Sequence, residues 1–329
     1  MILFQIVLGG ITRLTGSGLS ITKWEIVTGT LPPMSDDAWT TEFDLYKETP
    51  QFSKINRDMT LKEFKFIFFW EYFHRLWARS IGFVFLIPFL LFLRKKMLSK
   101  GLVKKLITAV LLGAIVASFG WVMVKSGLID RPWVNAYKLV LHLGLGVLLF
   151  TYLLYIGADY WLKHHKISGP FLIRKNALTV LIVLVFVQVL LGGLMSGMRA
   201  GLFYPTWPLI GTEWIPAQLF EWNNWSLERF TMYDKDAFAP AVIHFFHRSM
   251  AYLLIVLYLF IYLKDKSNPY LRKGFILLFL QIVLGIVTVI KCIGEIPVLW
   301  GGLHQLVGIL FFGYLVYIYL VKIRIEKSI

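Results

Sequence analysis

The chain has a single cysteine, Cys292, in 329 residues. No intramolecular disulfide can form, and the paired thiols of CxxC metal or redox centres are absent. Charge is also scarce. Only 16% of residues are Asp, Glu, Lys or Arg, against about 25% in an average soluble domain. With 57% hydrophobic residues and a mean hydropathy of +0.67, the composition excludes an ordinary soluble fold. Acidic residues are the rarer sign, 19 against 34 basic, for a net charge of +15. The first apolar run is not expected to be a secretory leader, since no basic stretch precedes it and no small-residue cleavage site follows it.

What the chain does have is apolar runs near the length of a bilayer crossing. Eight are readable, at about 1–12, 66–93, 103–124, 137–160, 176–197, 240–263, 271–291 and 299–321. The first is about eight residues short of a full span, so the expectation is that the chain begins inside its first helix. The basic residues sort by side. Arg94, Lys95, Lys96, Lys100, Lys104 and Lys105, then Lys163, Lys166, Arg174 and Lys175, then Lys264, Lys266, Arg272 and Lys273, and finally Lys322, Arg324 and Lys327 all fall on one face of an eight-span arrangement. The long loops 13–65 and 199–239 on the other face hold 10 basic and 13 acidic residues. This positive-inside pattern puts both termini in the cytoplasm and argues against nucleic acid as the partner of the charge. Trp24, Trp39, Trp121, Trp133, Trp207, Trp214, Trp222, Trp225 and Trp300 fall at or beyond the outer ends, as interfacial anchors do.

Four of the seven histidines lie in a duplicated pattern. Glu71-Tyr72-Phe73-His74-Arg75 returns as His244-Phe245-Phe246-His247-Arg248, and Leu141-His142 returns as Leu303-His304. Gly9-Gly10, Gly18 and Trp24 return 183 positions later as Gly192-Gly193, Gly201 and Trp207. Each half would have four spans, an even number, so the halves form a parallel repeat. The fold class expected is an all-α integral membrane protein of eight transmembrane helices, as two four-helix bundles. Residues 1–162 form the first half, 163–175 a cytoplasmic linker and 176–329 the second. The histidines fall five to eight residues in from the outer ends, at roughly 8–12 Å depth. A lone membrane histidine is as readily a polar residue bonded between helices. Four of them, paired, repeated and level, point to the bis-imidazole ligation of heme iron in four-helix units. A mononuclear zinc site wants more clustered donors.

Neighbouring residues carry further readings. Glu71, an intramembrane carboxylate three residues before His74, is either functional or a salt-bridge partner of Arg75 or Arg79. Its counterpart is His244, so the halves are not chemically equal. His244 is either an alternative ligand to His247 or an outer-end polar group, and the latter is favoured. Arg75 and Arg248 either pair with heme propionates or snorkel. The paired glycines fit close helix packing. His164 and His165 belong to a solvated basic loop.

With these residues in view the chain resembles the heme A synthase family, in its proteobacterial and mitochondrial branch. The resemblance spans nearly the whole chain. It is strongest at GGITRLTGSGLSITKWEIVTGTLPP (9–33), YKETPQF (46–52), EFKFIFFWEYFHRLWARSIG (63–82), AGLFYPTWPLIG (200–211), HFFHRSMAY (244–252) and LHQLVG (303–308). It implies oxidation of the C8 methyl of heme O to the formyl group of heme A by successive hydroxylation, for terminal oxidase biogenesis. It further implies that His74 and His142 flank the iron of heme O, that His247 and His304 ligate a permanent heme b, and that Glu71 is the catalytic carboxylate. Arg75 and Arg248 would bind the two hemes. The implied partners are the heme O synthase that supplies the substrate, an electron donor, terminal oxidase assembly factors and the lipid bilayer, with a homo-oligomer as a further option. The implied location is the bacterial inner membrane, since no mitochondrial transit peptide is seen. Some relatives carry a cysteine pair in the first outer loop; residues 13–65 have none, so no thiol step can operate here. A di-heme cytochrome b that only carries electrons, and a heme-delivery or transport protein, are the alternatives.

Overall fold

The computed structural model describes residues 1–23, 31–128, 131–165 and 171–326. Trp24, Lys166, the Gly169-Pro170 step of the linker and Lys327 lie outside them. Among the described residues the structure is all helical, with one isolated β-bridge between Ile210 and Glu213. Seven helices are long and apolar enough to cross a membrane: α4 (Leu61–Arg94), α5 (Lys100–Lys125), α6 (Ala136–His164), α7 (Lys175–Gly197), α10 (Phe238–Lys264), α11 (Pro269–Ile290) and α12 (Val298–Glu326). The first apolar run forms the shorter α1 (Ile2–Leu14). Short helices α2 (Asp36–Lys47), α3 (Pro50–Lys54), α8 (Ala200–Phe203) and α9 (Leu227–Thr231) lie in the long loops.

Helix ends follow local chemistry rather than hydropathy. α4 starts about five residues before its apolar run because Thr60 and Glu63 form a capping box. Thr60 N donates to Glu63 Oε2 at 2.8 Å, and Glu63 N donates back to Thr60 Oγ1 at 3.4 Å. α5 is capped by Ser99, which accepts from Leu102 N at 3.3 Å. α11 opens with Pro269 in its first turn, where a missing N–H costs nothing. α12 runs on to Glu326, and Lys322 near its end donates to the Phe171 carbonyl at 2.6 Å.

The chain divides into two compact units, Met1–Leu149 and Phe150–Ile329, with the dividing line inside α6. In the first unit, the N-terminal part of α4 meets α2 through an aromatic core of Phe43, Tyr46, Phe64 and Phe68. Phe43 and Tyr46 lie on Phe64 with ring centroids 5.0 and 5.2 Å away. The Tyr46 hydroxyl donates to Gln51 Oε1 at 3.1 Å, and Gln51 Nε2 donates to the Gly16 carbonyl at 2.8 Å. This ties α2 and α3 down onto the loop that follows α1. Burial pushes the Tyr46 phenol up to about 12, so it stays a donor. In the second unit α12 is the central helix, with 44% of its apolar window buried.

Candidate functional site

Each of the four repeated histidines is held by a neighbouring helix, in one of two ways. In the first way, a glutamine grips the backbone. Gln5 Nε2 on α1 donates to the His74 carbonyl at 3.2 Å, and Gln188 Nε2 on α7 donates to the His247 carbonyl at 3.0 Å. One turn along each helix, on the same face, a glycine meets the imidazole. A Cβ on Gly9 would stand 3.1 Å from His74 Nε2, and one on Gly192 would stand 3.4 Å from His247 Cε1. A Cβ at 9 would make the His74 ring give by a few tenths of an ångström, and one at 192 would just touch the His247 ring.

In the second way, the ring itself is bonded. His142 Nδ1 lies 3.0 Å from the Val116 carbonyl on α5, and His304 Nδ1 lies 3.1 Å from the Gln281 carbonyl on α11. A carbonyl only accepts, so Nδ1 carries the proton in both rings and the lone pair is on Nε2, which in His304 accepts from Gln281 Nε2 at 3.3 Å. A bond of this kind fixes the tautomer and orientation of histidines that ligate metals. Glycines again clear the space: Cβ atoms on Gly120 and Gly285 would stand 3.0 and 2.9 Å from the respective Cε1 atoms.

Heme fits these donors. In the second unit the His247 and His304 ring centroids are 6.4 Å apart, with their planes at 74°. Two metal–nitrogen bonds of about 2 Å plus the half-widths of two imidazoles give about 6 Å, so these two rings could hold one iron between them. His247 Nδ1 is buried without a hydrogen-bond partner, and its Nε2 has only a 3.5 Å contact with Gln188 Nε2. All four imidazoles keep some accessible surface. In the first unit, His74 and His142 are near enough for charge on one to be felt by the other. Among the described residues no three His, Cys, Asp or Glu side chains gather as a small-ion site would need.

One turn before His74 and His247 the units diverge. Glu71 is 2% exposed. Its Oε2 accepts from Ser20 Oγ at 2.8 Å and from Ile21 N at 2.9 Å, and its Oε1 pairs with Arg75 at 2.5 Å. Arg75 also donates to the carbonyls of Ile21 at 3.1 Å and Lys23 at 3.3 Å. The counterpart His244 is fully buried, lies 5.9 Å from the Tyr204 ring and has an unpartnered Nδ1. Arg248 reaches the carbonyls of Thr206, Leu209 at 2.8 Å and Pro208 at 3.3 Å. Both arginines thus pin the loop that follows the first helix of their unit. Lys23 and Thr206 are themselves 183 positions apart, the offset of the glycine repeat.

Sequence reasoning found the histidines, Glu71 and both arginines, and read Gly9 and Gly192 as packing residues. It missed Gln5, Gln188, Gln281, Gly120 and Gly285. The signal for two of these was available: Gln5 and Gln188 share the glycine offset. His164 and His165 bond to carbonyls of their own helix and are exposed, as expected of a solvated loop.

The sequence profile of the COX15-CtaA family, cytochrome oxidase assembly protein, matches residues 1–316. The chain belongs to this family. All four histidines, Glu71, Arg75 and Arg248 fall within the COX15-CtaA match. Similar proteins include "Heme A synthase" of Nitrosospira multiformis, 39% identical over 95% of this chain and 87% of that protein. Two more bear the same name. That of Flavobacterium johnsoniae is 36% identical over 94% of this chain and 90% of its own length. That of Wolbachia pipientis from Culex pipiens is 38% identical over 95% and 92%.

Proposed function

We propose that this chain is a heme A synthase, a multi-pass membrane oxidoreductase that converts heme O to heme A for cytochrome oxidase. The observation that carries this reading is the pair of matching histidine settings. Each half offers two imidazoles from two helices, with glycines clearing the rings and a main-chain acceptor fixing one tautomer. A lipid-soluble farnesylated ring is suited to a site among membrane helices. The finer proposal keeps the architecture expected from the repeat, eight spans as two parallel four-helix bundles, 1–162 and 176–329, with both termini on the cytoplasmic side of a bacterial inner membrane. The heme O synthase and the oxidase assembly machinery would be its neighbours there.

In this reading His74 and His142 hold the iron of heme O, and His247 and His304 hold heme b. Bound heme b supplies one-electron redox capacity. The side chains do the rest. The main-chain bond at Val116 keeps His142 Nε2 facing the substrate. Gln5 and Gly9 set the height and rotation of His74. Oxidising a methyl group to a formyl group moves protons, and Glu71 is the proposed group that passes them, with its Oε2 held by Ser20 and Ile21 and its Oε1 paired with Arg75. Arg75 has two tasks, balancing that carboxylate and holding the 21–23 loop over it.

Purified protein from cells that make heme O tests the reading. Pyridine hemochrome spectra and mass spectrometry of extracted heme should show heme A or hydroxylated heme O beside heme b. Heme b alone would mark a di-heme electron carrier instead.

A further inference from the structure

The two bonded histidines differ in what covers the helix one turn beyond them. Gly146 follows His142, and Gly308 follows His304, each four residues on and on the same helix face. Opposite them stand Val116 and Gln281, whose carbonyls accept the two Nδ1 protons. The side chains at these matching positions are unlike. Gln281 Nε2 lies 3.3 Å from His304 Nε2, and it covers Gly308 so closely that a Cβ there would be 2.9 Å away. Its Oε1 is buried without a partner. Valine cannot reach the corresponding place, and a Cβ on Gly146 would meet nothing within 4 Å. Beside its ligand, then, the second half is filled by an amide where the first half is open.

We propose that Val116 and Gly146 admit the isoprenoid arm of a farnesylated heme, and that Gln281 over Gly308 excludes it. This rests on the assignment of heme O to His74 and His142. Valine and a bare glycine offer an apolar wall at no polar cost. Gln281 offers the reverse. It occupies the space, and an isoprenoid against its amide would satisfy neither the N–H groups nor Oε1. Discrimination arises from an element that rejects the wrong ring, not only from contacts that favour the right one. Substitution at 116 or 281 leaves the main-chain acceptor in place, so ligand geometry and ring selection are separable.

The test is the heme content, per mole of purified protein, of variants made in heme O-producing cells. With His74→Ala disabling the first site, the protein should hold heme b and no farnesylated heme. Adding Gln281→Val should bring farnesylated heme into the second half; heme b alone in that double variant overturns the proposal. In an otherwise native chain, Gly146→Leu should lower farnesylated heme about tenfold or more with heme b unchanged. The open space over Gly146 lets the empty protein accept this side chain, and heme b reports its folding. Undiminished farnesylated heme in Gly146→Leu also refutes the idea, and this arm decides alone if the double variant loses all heme. Full farnesylated heme in His74→Ala by itself removes the substrate assignment, and the inference with it.

Discussion

The two units present their histidines alike but are packed differently. In the second, the apolar stretch of α12 is 44% buried and those of α7, α10 and α11 are 22%, 17% and 11% buried, whereas in the first α4 and α5 bury 6% each. Ligand presentation therefore does not depend on a tight bundle. It is set locally, by Gln5 and Gly9 against His74, and by Val116 and Gly120 against His142. Bundle tightness is then free to follow the task. A group that stays bound favours a closed setting, and a bulky substrate that enters and leaves favours an open one. The sites one turn before His74 and His247 differ as well: Glu71 has a buried ion pair with two further donors, and His244 has the Tyr204 ring and a 3.4 Å contact from Arg248.

The largest effect should come from Glu71, whose counterpart is a residue of another kind. Glu71→Gln keeps the shape and one oxygen for Ser20 and Ile21 but removes the charge facing Arg75. If the carboxylate moves protons, heme A formation should fall by ~10²–10⁴-fold while heme b in the purified protein stays at the native level. A native rate of heme A formation would leave Glu71 as a clamp for the 20–23 loop. Loss of heme b as well would show that the two units do not act separately.

The next effect tests the second unit. His247→Ala or His304→Ala should lower heme b at least about tenfold, since even outer-shell partners of metal ligands are worth 10–100-fold. His74→Ala and His142→Ala should leave it intact. Native heme b in both C-terminal variants would break the assignment of the permanent site.

The smallest effect on function, none at all, is expected from cysteines placed at Asp44 and Asp234, both exposed. An impermeant thiol reagent should label both on intact cells. Label on one alone would mean the two halves do not enter the membrane from the same side.

Most of the helical framework was legible because crossing a bilayer demands long apolar runs, and these eight runs coincide with α1, α4–α7 and α10–α12. The misplaced ends were those governed by caps and tertiary contact, such as Thr60 with Glu63 before α4 and Lys322 in α12. Hydropathy does not register either. The histidines were legible because they are duplicated and few. Gln5 and Gln188 share the glycine offset, but Gln281 does not, since a single amide in an apolar helix has no pattern of its own. Its meaning appears only with the imidazole it meets. Arg75 and Arg248 were expected at heme propionates; their fork geometry suits carboxylates and carbonyls alike. Only the folded loops reveal Ile21, Lys23, Thr206 and Leu209 as partners.

The acceptors for His142 and His304 are peptide carbonyls, which every residue type supplies. After a duplication, the side chains at 116 and 281 could drift apart without either copy losing the pose of its ligand. Divergence in what each copy admits would not have had to pass through an ancestor that bound nothing.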